Sequence, residues 1–332
     1  MAIDISKIEY DVELMTEQGT RYLLNSVLLS LQWEEQQNEL AQRASIRIAN
    51  GSIGSSRVIS VAKLNCAILI YAKWAAARQL LFTGSIWEWS YASGRQDELD
   101  IVACDNMIRL QQSEDFFYYQ AGMTTQAIIS DVCGQWGVPV SYQWSQRITH
   151  EKKVFNGEAI SNVITGLLEE VRQRTGEKYV IYLRDGQMRI VGRGSNAEVY
   201  CVDETLNAIS TSNKLVLMNL VTKVKVIGRE DSDGRATVDA MLDGDLRFGT
   251  LQKIVRRDSN KSVGDAMKEA RALIDEHGKP EETIQASGPD LPFVRKGDKM
   301  EWRAGNLLGF FYVEGISHNA TERTANYTLQ RA

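Results

Sequence analysis

Several short runs in this sequence carry residue types that could do chemistry. Gly192-Arg193-Gly194-Ser195-Asn196-Ala197 has glycine spacing close to a dinucleotide fingerprint and follows a strand pattern. That fingerprint needs a helix next, because the helix N-terminus holds the pyrophosphate. Glu198-Val199-Tyr200-Cys201-Val202 reads as strand instead, which argues against a nucleotide site. Asp231-Ser232-Asp233-Gly234 opens like a calcium loop, but Leu242 stands at the twelfth position, where a bidentate glutamate belongs. A hairpin turn is expected there, and another at Asp243-Gly244-Asp245. Glu34-Glu35 and Glu169-Glu170 are adjacent carboxylates, which face different ways on a strand or helix, so solvated charge is expected at both. His318, between Ser317 and Asn319, has no visible partner and is expected as a hydrogen-bonded packing residue. His277 falls at a helix end, where its charge suits the dipole. The four cysteines, Cys66, Cys104, Cys133 and Cys201, form no CxxC and are expected as buried free thiols. There is no Gly-x-Ser-x-Gly elbow, HExxH, phosphate loop or kinase signature. No catalytic residue, metal site or cofactor is expected.

The aromatic residues are more informative. Trp87, Trp89 and Tyr91 fall on one face of a strand pattern and suit either a ligand platform or a core or subunit interface. Core or interface is the expectation, and Trp302, Phe310 and Tyr312 on two later strands join them as candidates. The enzymatic alternative is a carbohydrate-active β-barrel in which Trp87 and Trp89 stack a sugar near Asp97, Glu98 or Asp100. Glycoside hydrolysis needs two carboxyls about 5–10 Å apart across a cleft.

The elements that would position these residues follow from the period of the apolar pattern. Ile8–Leu14, Val27–Trp33, Ala44–Ile48 and Leu99–Ala103 alternate with period two and read as half-buried strands. Asn50–Ser56, with two glycines and three serines, reads as a mobile loop, and Val58–Ala77 is mixed. From about Gln111 the character changes. Thr124–Trp136 and Glu158–Arg174 read as helices ended by Gly137 with Pro139 and by Gly176. Asp185-Gly186 marks a two-residue hairpin turn. Strands resume at about Ile209. Ser262, with Asp265 three residues on, caps a helix carrying Val263, Ala266, Met267, Ala270, Leu273 and Ile274 on one stripe, which Gly278 and Pro280 end. Alternating strands then run to the C-terminus, with Phe310, Tyr312 and Ile316 expected on one face. The expected fold is α+β, mostly β. Two tube-like β-barrel domains (residues 1–112 and 209–332, the second with one helix) flank a small α+β domain (113–208).

Composition bounds the function. At 332 residues, 43% hydrophobic and 24% charged, the chain has ordinary globular composition and room for two or three cores. A net charge of −5 argues against a broad nucleic-acid footprint. The start has no secretory pattern, and Lys73 and Arg78 interrupt the apolar run from Cys66.

Two further runs point to a family. Leu81-Phe82-Thr83-Gly84-Ser85-Ile86-Trp87-Glu88-Trp89, followed by Ile101-Val102-Ala103-Cys104-Asp105-Asn106 and Ile108-Arg109-Leu110, resembles the XkdQ-type baseplate hub family of contractile phage tails and phage-tail-like particles. Ala121–Ile129 resembles that family's link into its middle domain. The C-terminal order of a helix, Pro292, Gly297-Asp298, the Gly309–Val313 strand and His318 also fits. The resemblance implies a structural subunit of a homotrimer, whose two tube-like domains per copy make a pseudo-sixfold ring. It implies as partners the tail tube, a central spike, a LysM-containing tail protein and the baseplate wedge proteins, in a particle assembled in the bacterial cytoplasm. DNA would pass through the lumen without specific binding, a role the negative charge suits. A tail tube or distal-tail ring protein of related fold is the nearer alternative.

Overall fold

A computed structural model describes residues 4–74, 77–93, 97–144, 147–230, 232–258 and 261–332. The chain forms two compact units, Met1–Thr211 with Gln285–Ala332, and Ser212–Ile284. Strands dominate, and among the described residues no helix is long and apolar enough to cross a membrane.

In the larger unit most strands belong to a single thirteen-stranded sheet. Nine successive strands of it run Thr324–Arg331, Leu307–Asn319, Leu28–Glu35, Arg43–Ala49, Glu98–Cys104, Ala77–Ala92, Ala67–Trp74, Glu9–Met15, Arg21–Leu23. The decisive joint is antiparallel pairing of a C-terminal strand with an N-terminal one, Ile316 opposite Glu35 and His318 opposite Trp33. Strands from both ends of the chain thus share one sheet. The pairings among the described residues close no barrel, where the period-two pattern had suggested two separate ones. Alternation reports which face of a strand is buried; it carries no information about which distant strand lies beside it.

The N-terminal strands bury Val12, Leu14, Leu31, Trp33, Ile46, Ile48, Ile68, Ile70, Phe82, Leu99 and Ile101 in one core. Gly84 is required in it: a Cβ there would lie 2.3 Å from the Cys104 carbonyl oxygen. Asn50–Ser56 is not a mobile loop. Ser52–Ile53 pairs with Ser56–Arg57, and Ile53 is buried, which anchors the turn. The mixed stretch resolves into a one-turn helix, Val58–Val61, and the strand Ala67–Trp74.

A second core gathers around the helices Thr125–Gln135 and Ile160–Thr175. Thr124 Oγ1 accepts from the Ala127 amide, and Gly176 ends the second helix at φ 77°. That helix begins at Ile160 because Lys153–Ala159 pairs with Glu114–Tyr119. Asp185 and Gly186, at φ 52° and 73°, make the hairpin turn between Tyr179–Arg184 and Gln187–Gly192, with Val140–Gln143 added in parallel.

The smaller unit is a three-stranded sheet, Ala236–Asp243, Lys223–Glu230, Gln252–Arg256, with the helix Val263–His277 on one face. Ser262 caps this helix as its sequence suggests, accepting from the Asp265 amide. Only Ala266 and Ala270 are fully buried on it, and Val263 and Met267 are exposed. Leu273 and Ile274 are half-buried against the same core, so the expected stripe holds through Ala266, Ala270, Leu273 and Ile274 and fails at Val263 and Met267. Ser232–Gly234 forms part of the turn between the first two strands of this order; Asp231 lies outside the described residues.

Candidate functional site

The acids nearest the first aromatic cluster are the natural place to look for hydrolytic chemistry. Trp87 sits at a β-bulge between Ile86 and Glu88, which takes it out of register and leaves it 41% exposed. Trp89 packs half-buried against the N-terminal core, and the Tyr91 hydroxyl donates to Asp97 Oδ1 at 2.6 Å. Asp97 also accepts from Arg57 at 2.9 Å and from Asn50 at 3.0 Å, while Arg47 pairs with Asp100 at 2.8 Å and reaches Glu98 at 3.8 Å. The Tyr91 hydrogen bond, then Asn50 and Arg57, hold the Asp97 carboxyl below its ordinary range. A glycosidase acid needs the opposite shift, upward, to keep its proton near neutrality. These acids are turn and ladder partners of arginines.

The second candidate group is split by the sheet. Trp302 is wholly buried, edge-on to Tyr327, with ring centroids 5.4 Å apart. Phe310 is 49% exposed, and Tyr312 is half-buried beneath the Arg193 guanidinium, 4.3 Å from its centroid. Phe310 and Tyr312 do not share a face with Ile316 as alternation suggested. A bulge between Val313 and Gly315 advances the phase by one, so Phe311, Val313 and Ile316 face inward.

One constellation has the geometry of a nucleophilic triad. Thr125 Oγ1 lies 2.7 Å from His150 Nε2, and His150 Nδ1 lies 2.9 Å from Glu170 Oε2. Burial works to raise the Glu170 carboxyl, but its bonds to Lys153 and His150 win and hold it low. A hydroxyl nucleophile must reach its substrate. Thr125 is 0% exposed at the first turn of its helix and His150 is 3% exposed, so the arrangement is a polar clip. It ties the Thr149–His150 segment to both helices; the Thr125 amide also donates to the Ile148 carbonyl at 3.0 Å.

The remaining buried charge lies where distant segments meet. Glu35, 4% exposed, accepts from Arg295 Nε and from the Lys296 amide at 3.0 Å, so it is no solvated charge. Lys296 Nζ donates to the Gln36 and Glu39 carbonyls at 3.2 and 2.6 Å, and burial lowers its pKa. Asp105 accepts from the Gln42 and Met107 amides at 3.1 and 2.9 Å, with burial pushing its carboxyl up to about 7. Asp298, which accepts from the Arg295 amide, is raised by burial to about 6. A cavity of about 50 Å³ lined by Trp33, Asp105 and Arg295 adjoins this joint. At a second joint, Glu314 is aimed inward beside the bulge and accepts from Lys178 at 2.7 Å and Arg193 at 2.8 Å. At a third, Asp290 lies 2.7 Å from His318 Nδ1 and accepts from the Tyr10 hydroxyl at 2.6 Å, while Trp33 stacks on His318 at 4.6 Å. His318 therefore has a partner. It is 28 residues away in sequence and gave no local signal.

Three cysteines are buried, and burial raises Cys104 to about 11 and Cys133 to about 12. Cys201, expected inside, is exposed on the three-residue strand Cys201–Asp203. Among the described residues no group of three or more His, Cys, Asp or Glu side chains could hold a metal ion. The arrangement is that of joints between distant segments, with its polar side chains spent on one another.

A family model described as YQBQ-like matches residues 31–330. No curated protein matches the chain. Among solved structures, the chain is similar to the 43 kDa tail protein of prophage MuSo2 from Shewanella oneidensis (TM-score 0.71, 12% identity, covering 97% of this chain and 98% of that one). It is similar to the tail protein from Neisseria meningitidis MC58 (0.68, 13%, 96% and 96%). It is also similar to the E. coli c3393 protein (0.59, 13%, 97% and 76%), a component of the type VI secretion system with structural similarity to the T4 tail proteins gp27 and gp5. At these identities the likeness establishes a shared fold.

Proposed function

The chain belongs to the YQBQ-like family, and on that premise we propose that it is a structural hub subunit of a contractile phage tail or tail-like injection particle. Three copies form a pseudo-sixfold ring that joins the tail tube to the central spike. The β-rich segments 1–112 and 209–332 supply the two tube-like parts, and 113–208 braces them. The partners are the tube protein, the spike, a LysM-containing tail protein and the wedge proteins, and the chain resides in the baseplate of the particle. It has no catalytic role.

The observation that carries this reading is the sheet that joins strands from both ends of the chain, in a fold shared over 96–98% of both chains with two tail proteins. A subunit that adapts one ring to another must transmit load without opening. The three ionic and aromatic joints pin segments distant in sequence to one another, which suits such a role. The buried triad and the arginine-paired acids support the absence of catalysis, since neither presents a free reacting group.

The test is the mass and rotational symmetry of the purified chain, by light scattering and negative-stain imaging over a range of concentrations. A threefold ring with an open centre is expected. A sixfold ring would move the assignment to a tube or distal-tail protein. Release of cell-wall fragments by the purified chain would overturn it.

A further inference from the structure

One strand of the larger unit ends its sheet with an open outer side. In the order Val140–Gln143, Gln187–Gly192, Tyr179–Arg184 the last strand is an edge, and no strand among the described residues pairs beyond it. The two-residue turn at Asp185-Gly186 makes Arg184 and Gln187 the first hydrogen-bonded pair of this hairpin. Alternation then turns the backbone groups of Lys178, Val180, Tyr182 and Arg184 toward the partner strand. The Arg193 amide, which donates to the Lys178 carbonyl at 2.9 Å, keeps the same phase. The N–H and C=O of Tyr179 and Ile181 therefore point off the open edge.

Tyr179 and Ile181 are only 9% and 4% exposed, and among the described residues none of these four backbone groups forms a hydrogen bond. Buried main-chain donors and acceptors are nearly always paired. Here they border a cleft of about 530 Å³ between residues 37–40 and the side of the helix Ile160–Thr175 that carries Thr165, Gly166 and Glu169. Leu168 and Val313 add apolar wall. The charged side chains that line the cleft are already engaged. Glu39 pairs with Arg43, Glu169 with Arg172 and Lys178 with Glu314, while Lys296 holds the Gln36 and Glu39 carbonyls. What the cleft offers is main chain, two donors and two acceptors along one line, beside apolar surface.

The geometry points to this cleft as a docking site for an extended segment of a partner protein, which adds to the Tyr179–Arg184 edge as a further strand and turns an apolar side chain onto Leu168 and Val313. Strand addition is the mode that uses such groups: main-chain hydrogen bonds supply affinity, and flanking pockets select alternate side chains. A charged ligand would find no uncommitted counter-charge in the cleft. The site needs one copy and one compact unit, so it stands apart from the ring assignment.

The experiment titrates the full chain, ¹⁵N-labelled at tyrosine and isoleucine, with the blocked peptide acetyl-Thr-Val-Thr-Val-Thr-amide, and follows the amide signals of Tyr179 and Ile181. Both are expected to shift saturably at millimolar peptide. The same peptide N-methylated at its three central residues lacks their donors and is expected to bind at least about tenfold more weakly. Gly166→Leu is the blocking variant. A Cβ at Gly166 meets nothing within 4 Å, so the substitution suits the helix and sets its side chain at the cleft. It should fold as the wild type does and lose the peptide-induced shifts. A peptide that moves neither amide would leave water alone in the cleft and overturn the proposal. Equal binding of the methylated peptide, or undiminished binding by Gly166→Leu, would also overturn it. Signals of Tyr179 and Ile181 that move with protein concentration in the absence of peptide would give the edge to a second copy of this chain and overturn the partner assignment.

Discussion

Asp105 gives this fold a measurable pH dependence. Its carboxyl is 1% exposed and accepts two backbone amides, and among the described residues no cation forms an ion pair with it. Burial raises it from an ordinary 3.8 to about 7. A carboxyl raised in the folded state binds its proton more tightly there than in the unfolded chain, so folding gains stability as pH falls through the folded value and gains nothing further above it. Between about pH 7.5 and about pH 5.5, a shift of this size contributes roughly 2 kcal/mol of added stability at the lower pH. Urea unfolding followed by tryptophan fluorescence reads this directly in the wild type and in Asp105→Asn. The variant loses one amide acceptor and is less stable throughout, but its stability should change less with pH, by about those 2 kcal/mol. Asp298, raised by burial to about 6, and Lys296, lowered by burial, remain in both proteins, so the difference between the two slopes isolates Asp105. Equal pH slopes in the two proteins would refute the assignment of a buried, protonatable carboxyl at this joint.

Other perturbations address the remaining joints. Glu314→Gln removes the shared partner of Lys178 and Arg193, both only partly exposed, and should cost about 2–3 kcal/mol in denaturant titration; a loss below 0.5 would make the pair a surface contact. Gly297→Ala places a Cβ 2.4 Å from Val180 at a φ of 92°, and a drop of at least about 2 kcal/mol is expected in the same assay. Thr125→Val should lower stability by about 1–2 kcal/mol through the lost hydroxyl bond to His150. If Thr125→Val instead abolished an esterase activity present in the wild type, the polar-clip reading would fail. Wild type, Asp97→Asn and Asp100→Asn should all release no soluble fragments from purified cell wall; release by the wild type alone would restore the carbohydrate-enzyme alternative.

Local signals in the sequence translated well into structure. The Ser262 cap, the left-handed Gly176 and the Asp185-Gly186 turn depend on neighbours within a few residues, and their geometry follows from those residue types. Two kinds of feature were not legible. A β-bulge adds one residue without changing composition, so the phase of Trp87 and of Phe310, Tyr312 and Ile316 was read straight through an insertion. Long-range pairing leaves no local trace either. Glu35 meets Arg295 across 260 positions and Trp33 meets His318 on a neighbouring strand, so a charge that looked solvated is buried and a histidine that looked partnerless is held. The one signal that could have flagged Glu35 is its place next to the buried run ending at Trp33, where alternation gives a charge one inward position.

The most direct measurement of the central claim is the copy number and rotational symmetry of this chain inside an intact particle, by cryo-electron microscopy of the tail end. Three copies arranged as a pseudo-sixfold ring between the tube and the spike is the expected result. Six copies in a true sixfold ring, or a particle complete without this chain, would contradict it.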